Sequence, residues 1–454
     1  MSKIICAALA ALVLASCGGG GAGGAGTADS AASASATSQA MKAKIFVPDP
    51  TLAAQQIVLA SNSPVGNQVV RSVGATTDGG YTVAWLFGAS TLVIQHFDSF
   101  GAKDGAETPL ALTVQAPTEA AAAQAIASSS VAVLTDGSVV VEYRVSRNTD
   151  QPNGTVSTRT GVFIQRFGAD GAQLLGETEV AFRDEVVTSR SPFITNLQVA
   201  ALADGGFVVG WTVARFAVQS GTISTLSLQR YDNQGQPVGG AVQVGDFPAL
   251  AYSIAPDAQG GFTLYTSQLD VTFTPLFSVT HYDATMAATP IVAPGPGAAF
   301  LLPLEAGYVL FTSDAAGSSR QMLDSQGNPV GQPTQLAFMP LDARELADGS
   351  YVVFWRTSGN FTVFSQRFAA DGSPMGDTLT LQTDGLLPQV AALADVGFAL
   401  AWSAAGVAVD TDVFTQRFIE VLSNQKKVCL DDARGLKGQE RKAFMNACLG
   451  VAGA

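Results

Sequence analysis

Asp204-Gly205-Gly206-Phe207-Val208-Val209-Gly210-Trp211, followed further on by Gln229-Arg230-Tyr231-Asp232-Asn233-Gln234-Gly235, is the stretch whose reading decides the fold. Related copies start at Asp78, Asp136, Gln259, Glu305, Asp348 and Asp395, so seven starts lie 43 to 68 residues apart. A period of a few tens of residues marks a chain built by stacking one supersecondary unit, a solenoid or a propeller. In this copy, β-rich runs fall at 197–202, 207–211, 226–231 and 241–244. Asp204-Gly205-Gly206 and Asp232 to Gly235 read as turns between them, because tight hairpin turns need the positive φ that glycine takes without steric cost. Proline then marks passage to the next unit at Pro192, Pro248, Pro340 and Pro388.

The copies also share columns. Trp85, Trp211, Trp355 and Trp402 all stand seven residues after the turn's first position; Tyr143, Thr266 and Thr312 hold that place in the other copies. A recurrent aromatic in a strand reads as packing between neighbouring sheets. The third strand carries Gln95, Gln165, Gln229, Gln321, Gln366 and Gln416, read as amides that satisfy backbone groups between units. The next column holds Arg166, Arg230, Arg367 and Arg417, with His96 and His281 in two copies. Its simplest reading is pairing with the acidic turn residue.

Seven four-stranded units predict an all-β, seven-bladed β-propeller, with a linear β-solenoid as the alternative. The last copy lacks a fourth strand, while residues 55–60 supply a surplus strand ahead of the first copy. Pairing the two closes the ring and removes two exposed sheet edges. Over residues 55–420, the pattern of Asp-Gly-Gly, an aromatic at plus seven and Gln-Arg-Phe-Asp-x-x-Gly resembles repeats of large bacterial secreted and surface proteins. That resemblance implies the fold and carries no activity with it.

The two ends differ in character. Lys3, the apolar run from Ile4 to Leu14 and Leu14-Ala15-Ser16-Cys17 form a signal over residues 1–17, too short for a permanent membrane span. This resembles the lipobox of bacterial lipoproteins, which implies a signal peptide cleaved before Cys17, acylation of Cys17 (palmitate among the chains) and, with Gly18 following it, sorting to the outer membrane. Residues 18–42, almost all Gly, Ala, Ser and Thr, read as a flexible tether. Cys429 and Cys448 remain as a natural disulfide pair in an oxidising periplasm. Residues 424–450 read as two short helical stretches, with Gly435 placed to end the first, a helical hairpin that brings those cysteines together. Leu436-Lys437-Gly438-Gln439-Glu440-Arg441-Lys442-Ala443-Phe444-Met445, with the flanking cysteines, resembles the repeat of small phosphate-starvation-inducible periplasmic proteins of the PsiF type.

Charge and residue counts narrow the function. Loss of Lys3 leaves 23 basic side chains against 37 acidic, a net charge of −14, which repels a phosphate backbone and argues against nucleic acid. Two histidines in one structural column argue against Ser-His-Asp catalysis and a His-rich zinc site. No phosphate loop, dinucleotide fingerprint or calcium loop is present in the sequence, so no cofactor or metal is expected. The long insertions, 144–161, 212–225 and 182–192, all fall on the face opposite the Asp-Gly-Gly turns. They read as variable loops on a rigid scaffold and carry Arg144, Arg147, Arg159, Arg183, Arg190 and Arg215, the expected ligand-binding residues. The expected function is a lipid-anchored envelope protein acting as a binding or scaffold module toward an envelope protein or an anionic glycan. The alternatives are a glycan- or peptidoglycan-processing enzyme using Glu142, Asp150, Asp184 and Glu185, which would require facing carboxylates, or a purely structural envelope protein.

Overall fold

The computed structural model describes residues 44–48 and 57–58, most of 67–422, and positions 444 and 448. The repeated runs become seven antiparallel sheets in chain order: residues 68–110, 130–186, 193–248, 251–296, 298–336, 340–381 and 389–422, hereafter blades 1 to 7. Each blade is a meander running from an inner strand near the ring axis to an outer one. Blade 7 has three strands of its own. Lys44–Pro48 and Ile57–Val58 complete it by pairing with Thr411–Leu422, at registers Lys44↔Leu422 to Pro48↔Phe418 and Ile57↔Thr415. The closing strand therefore includes the expected stretch and a second piece upstream of it.

The ring is closed by packing as well as by pairing. The buried apolar residues form seven clusters among the described residues, one for each junction between neighbouring blades. The decisive one joins Tyr81, Val83 and Trp85 of blade 1 to Leu393, Ala399, Ala401 and Val413 of blade 7. Across the same junction the amide of Val70 donates to Ser403 Oγ at 2.8 Å, and that of Gln68 to Thr411 Oγ1 at 3.1 Å. A linear solenoid has no contact between its first and last units, so the propeller reading stands and the solenoid does not.

The tryptophan column lies inside these junctions. Trp85 and Trp402 are fully buried, and Trp355 stacks on Phe338 at 3.8 Å between ring centroids. Where the column holds threonine, a hydroxyl pair across the strands replaces the aromatic: Thr266 with Ser278 at 2.6 Å and Thr312 with Ser319 at 2.8 Å.

The glutamine column works differently from its sequence reading. Gln95, Gln229, Gln321 and Gln366 sit where the third and outer strands of one blade lose register. Such a bulge leaves backbone carbonyls without ladder partners. The side-chain amide supplies the missing donor: Gln366 Nε2 lies 3.1 Å from the carbonyls of Arg367, Met375 and Gly376. The partner glycines, Gly105, Gly239, Gly331 and Gly376, adopt φ of 68° to 75°, which completes the bulge. The column thus acts within blades. Gln165 follows the expected pattern, bonding the backbone of Thr113 in the segment that leads from blade 1 to blade 2.

That segment contains a helix with no counterpart in the sequence reading, α1 (Glu119–Ala127). Thr118 Oγ1 caps it by accepting from the amide of Ala121 at 3.1 Å, and an alanine-rich run sustains it. Ala125 and Ile126 bury its inner side in the junction of blades 1 and 2. No helix among the described residues is long and apolar enough to cross a membrane.

Candidate functional site

The meander fixes two faces. Turns from inner to second strand and from third to outer strand share one, the turn face; second-to-third hairpins and connections between blades share the other, the arm face. On the arm face the insertions are strands, where the sequence reading expected loops. Blade 2 carries Val139–Asp150, Val156–Phe167 and Gln173–Val186; blade 3 carries Phe207–Ala217, Gly221–Tyr231 and Pro237–Pro248. Their second and third strands run 11 or 12 residues, against six to eight in blades 1, 4, 5 and 6. The inserted residues mix β-branched with polar side chains, and the ladder continues outward as two ribbons, here called arms.

The predicted arginines divide on this scaffold. Arg144 is half-buried, and its guanidinium donates to the carbonyl of Ile194, tying blade 2 to the inner strand of blade 3. Burial pushes its pKa below the usual arginine range. Arg147 and Arg159 are register partners on adjacent strands, and Asp184 stands opposite Arg159 on the next. Arg159 Nη2 reaches both carboxylate oxygens of Glu179, at 2.9 and 3.1 Å, and its guanidinium lies 3.7 Å over the exposed ring of Phe182. Arg183 is the register partner of Thr160. Arg215, half exposed on the blade 3 arm, pairs with Asp246, which also accepts from Thr225 Oγ1. Arg190 lies outside the described residues. Arg147 and Arg159 therefore stand opposite each other in register, Arg215 lies on the neighbouring arm, and Arg144 bonds the inner strand of blade 3.

On the turn face the arginine column is wholly structural. In blade 3, Asp204 Oδ1 accepts the amide of Gly206 at 3.0 Å, and its other oxygen pairs with Arg230. Arg230 Nη1 then donates to the carbonyl of Gly260 in blade 4 at 2.8 Å. Arg166–Asp136, Arg367–Asp348 and Arg417–Asp395 repeat the pairing, and His96–Asp78 (2.9 Å) and His281–Asp257 (2.8 Å) replace it where histidine stands. In blade 4 the acid has moved two places upstream, from the position of Gln259 to Asp257, which still caps the turn through the amide of Gly261. Burial raises the Asp136 carboxyl, but Ser138 and Arg166 outweigh it and hold the group below the usual carboxylate range.

Glu142 does not fit the enzyme alternative. It is 0 % exposed, paired in register with Ile164 and Ser130 inside the junction of blades 2 and 3, and neither carboxylate oxygen has a hydrogen-bond partner. Burial pushes its pKa well above the usual glutamate range. A carboxyl sealed among side chains such as Val140 and Ile164 cannot reach a substrate. Among the described residues no group of three or more His, Cys, Asp or Glu side chains converges in a way that would hold a metal ion. Cys17 and Cys429 lie outside the described residues, as does the hairpin apart from Phe444 and Cys448, both helical.

Comparison with known proteins adds one local match. The psiF repeat family matches residues 425–450. No curated protein matches the chain. Solved structures share only a distant likeness. They include prolyl oligopeptidase B from Galerina marginata, at 11% identity and TM-score 0.44 over 74% of this chain and 47% of that one. A protein of unknown function from Dyadobacter fermentans follows, at 10% identity and TM-score 0.44 over 82% and 99%. An α-L-arabinanase from Penicillium chrysogenum complexed with arabinobiose aligns at 10% identity and TM-score 0.42 over 80% and 97%. The chain spans about half the length of the prolyl oligopeptidase it matches.

Proposed function

We propose that this chain is a lipid-anchored envelope protein whose propeller is a binding or scaffold module, with the blade 2 and 3 arms as its recognition surface. The observation that carries the recognition surface is the pair of arms. Two adjacent blades extend their hairpins well past the ring and place Arg147, Arg159 and Arg215 on them, in a protein with net charge −13. Basic side chains on an acidic body suit an anionic partner, either an acidic glycan or an acidic envelope protein surface. The anchor rests on the lipobox ending at Cys17, and outer-membrane sorting on Gly18. The psiF match supports reading Cys429 and Cys448 as a disulfide that staples the C-terminal module.

The test compares the intact chain with one whose residues 147–159 and 215–223 are each replaced by a two-residue Asn-Gly turn, which keeps the register pairs Ser146↔Thr160 and Ala214↔Ser224 and removes Arg147, Arg159 and Arg215. Both are cross-linked in cells, and any captured partner is then purified and titrated directly. Binding by the intact chain and its loss on trimming, with thermal stability unchanged, supports the reading; equal binding by both sinks the assignment of the arms. Mass analysis of the N-terminal peptide tests the anchor: an unmodified Cys17 removes it.

A further inference from the structure

The seven inner strands line the central channel of the ring, and each runs from the arm face to the turn face. Three of them lose register with their second strand close to the start. The shifts fall between Val70 and Ser72 in blade 1, Thr195 and Gln198 in blade 3, and Pro340 and Asp342 in blade 6. The inner strands of blades 2, 4, 5 and 7 hold register throughout. A bulge bends its strand and re-aims the side chains beside it. One or two residues ahead of each shift stands an apolar side chain left in solvent: Val69 and Phe193, each 41% exposed, and Met339 at 53%. Six large apolar side chains among the described residues are exposed, and these three stand around the arm-face mouth of the channel. Arg71 supplies the charge there. It is the bulged residue of blade 1, and its Nη2 donates to the carbonyl of Ala127, the last residue of α1, at 2.6 Å. No carboxylate among the described residues pairs with it, and its buried Nε has no hydrogen-bond partner. Asp342 and Arg344 of blade 6, by contrast, pair with each other.

We infer that this mouth docks a protein segment that inserts an apolar side chain among the three bulged strands and sets a carboxylate on Arg71. The inference rests on reading the arm face as the recognition side, and it narrows the partner there to a protein. An apolar centre beside a guanidinium is the pattern of protein hot spots. A glycan would bury its hydroxyls against Val69, Phe193 and Met339, which offer them no hydrogen bond. The three residues belong to blades 1, 3 and 6, on different sides of the ring, so covering them takes a protein surface rather than a small anion. In a chain of net charge −13, a guanidinium without a carboxylate favours an acidic partner.

The probe is a phage-displayed library of random peptides, selected on the full chain. Counter-selection uses the same chain carrying Val69→Ser, Phe193→Ser and Met339→Ser, all at exposed positions. Selected peptides should share an apolar residue beside Asp or Glu. One of them, synthesised and titrated by fluorescence anisotropy, should lose about tenfold or more in affinity on Arg71→Gln. Arg71→Lys keeps the charge and should restore most of that loss, whereas exchanging the peptide's acid for its amide should repeat it. Selection of no such peptide, equal binding to the intact and serine-substituted chains, or affinity unmoved by Arg71→Gln each overturns the inference. The arm-trimmed chain separates this reading from the arms. Binding lost on trimming but kept through the serine changes removes the mouth and leaves the arms. Binding kept on trimming and lost on the serine changes supports the mouth and counts against the arms.

Discussion

Arg230 shows how much structure one repeated side chain carries. Its guanidinium is 4% exposed, pairs with an Asp204 carboxylate that is 44% exposed, and donates to the next blade. A surface pair contributes little, but a buried guanidinium that loses its carboxylate is left with an uncompensated charge. Asp204→Ala should therefore cost about 2 kcal/mol in a urea titration, with little change on adding salt. Glu142 has the opposite sign. Its folded-state pKa lies above that of the unfolded chain, so folding opposes ionisation. Its contribution is most favourable below the ordinary glutamate range and is progressively lost as pH rises through that range toward the folded value. Glu142→Gln should raise the melting temperature at pH 8 more than at pH 4; an equal effect at both would show that folding does not shift the carboxyl's pKa.

At the scale of elements, the bulge between third and outer strands is a unit of two residues ten apart in sequence. Gly239 has φ 69°, and an added Cβ there would meet nothing within 4 Å. Gly239→Ala thus tests backbone conformation alone and should cost about 1 kcal/mol. Gln229→Leu removes the amide that serves the Arg230 carbonyl at 2.8 Å and should cost about as much by leaving that group without its side-chain donor. The two changes act on one bulge, so a double-mutant cycle should show coupling. The arms behave otherwise. Among the described residues the buried run of the second strand ends at Val145 in blade 2 and Ala214 in blade 3, so trimming the arms should leave the melting temperature within about 2 °C.

For the whole molecule, the closing segment decides whether there is a ring. Deleting residues 43–60 removes every described partner on the outer side of Thr411–Leu422 and exposes a strand edge. Such edges recruit other chains. The truncated protein should melt lower and associate with increasing concentration, as measured by light scattering after gel filtration; a monomer of unchanged stability would show that the inter-blade clusters close the ring unaided.

Seven turns, the tryptophan column and the surplus N-terminal strand were enough to specify a closed seven-bladed ring, since each is a local preference repeated in phase. The arginine–aspartate pairing was equally legible, because both partners recur at fixed spacing within one copy. The role of the glutamines was not: its signal, a glycine ten residues on at Gly105, Gly239, Gly331 and Gly376, becomes meaningful only once the register shift is seen. The arms were mistaken for loops because polar, β-branched insertions do not announce their pairing, and a strand beyond the core needs no alternating apolar face. Arg144 was grouped with surface arginines because its partner, the carbonyl of Ile194, lies fifty residues away. Sequence thus determined the repeated unit and the number of units, which depend on neighbours along the chain. Tertiary structure alone decided that Arg144 bonds the neighbouring blade, where Glu142 is sealed, and that Lys44 pairs with Leu422, because those depend on contacts between distant parts of the chain.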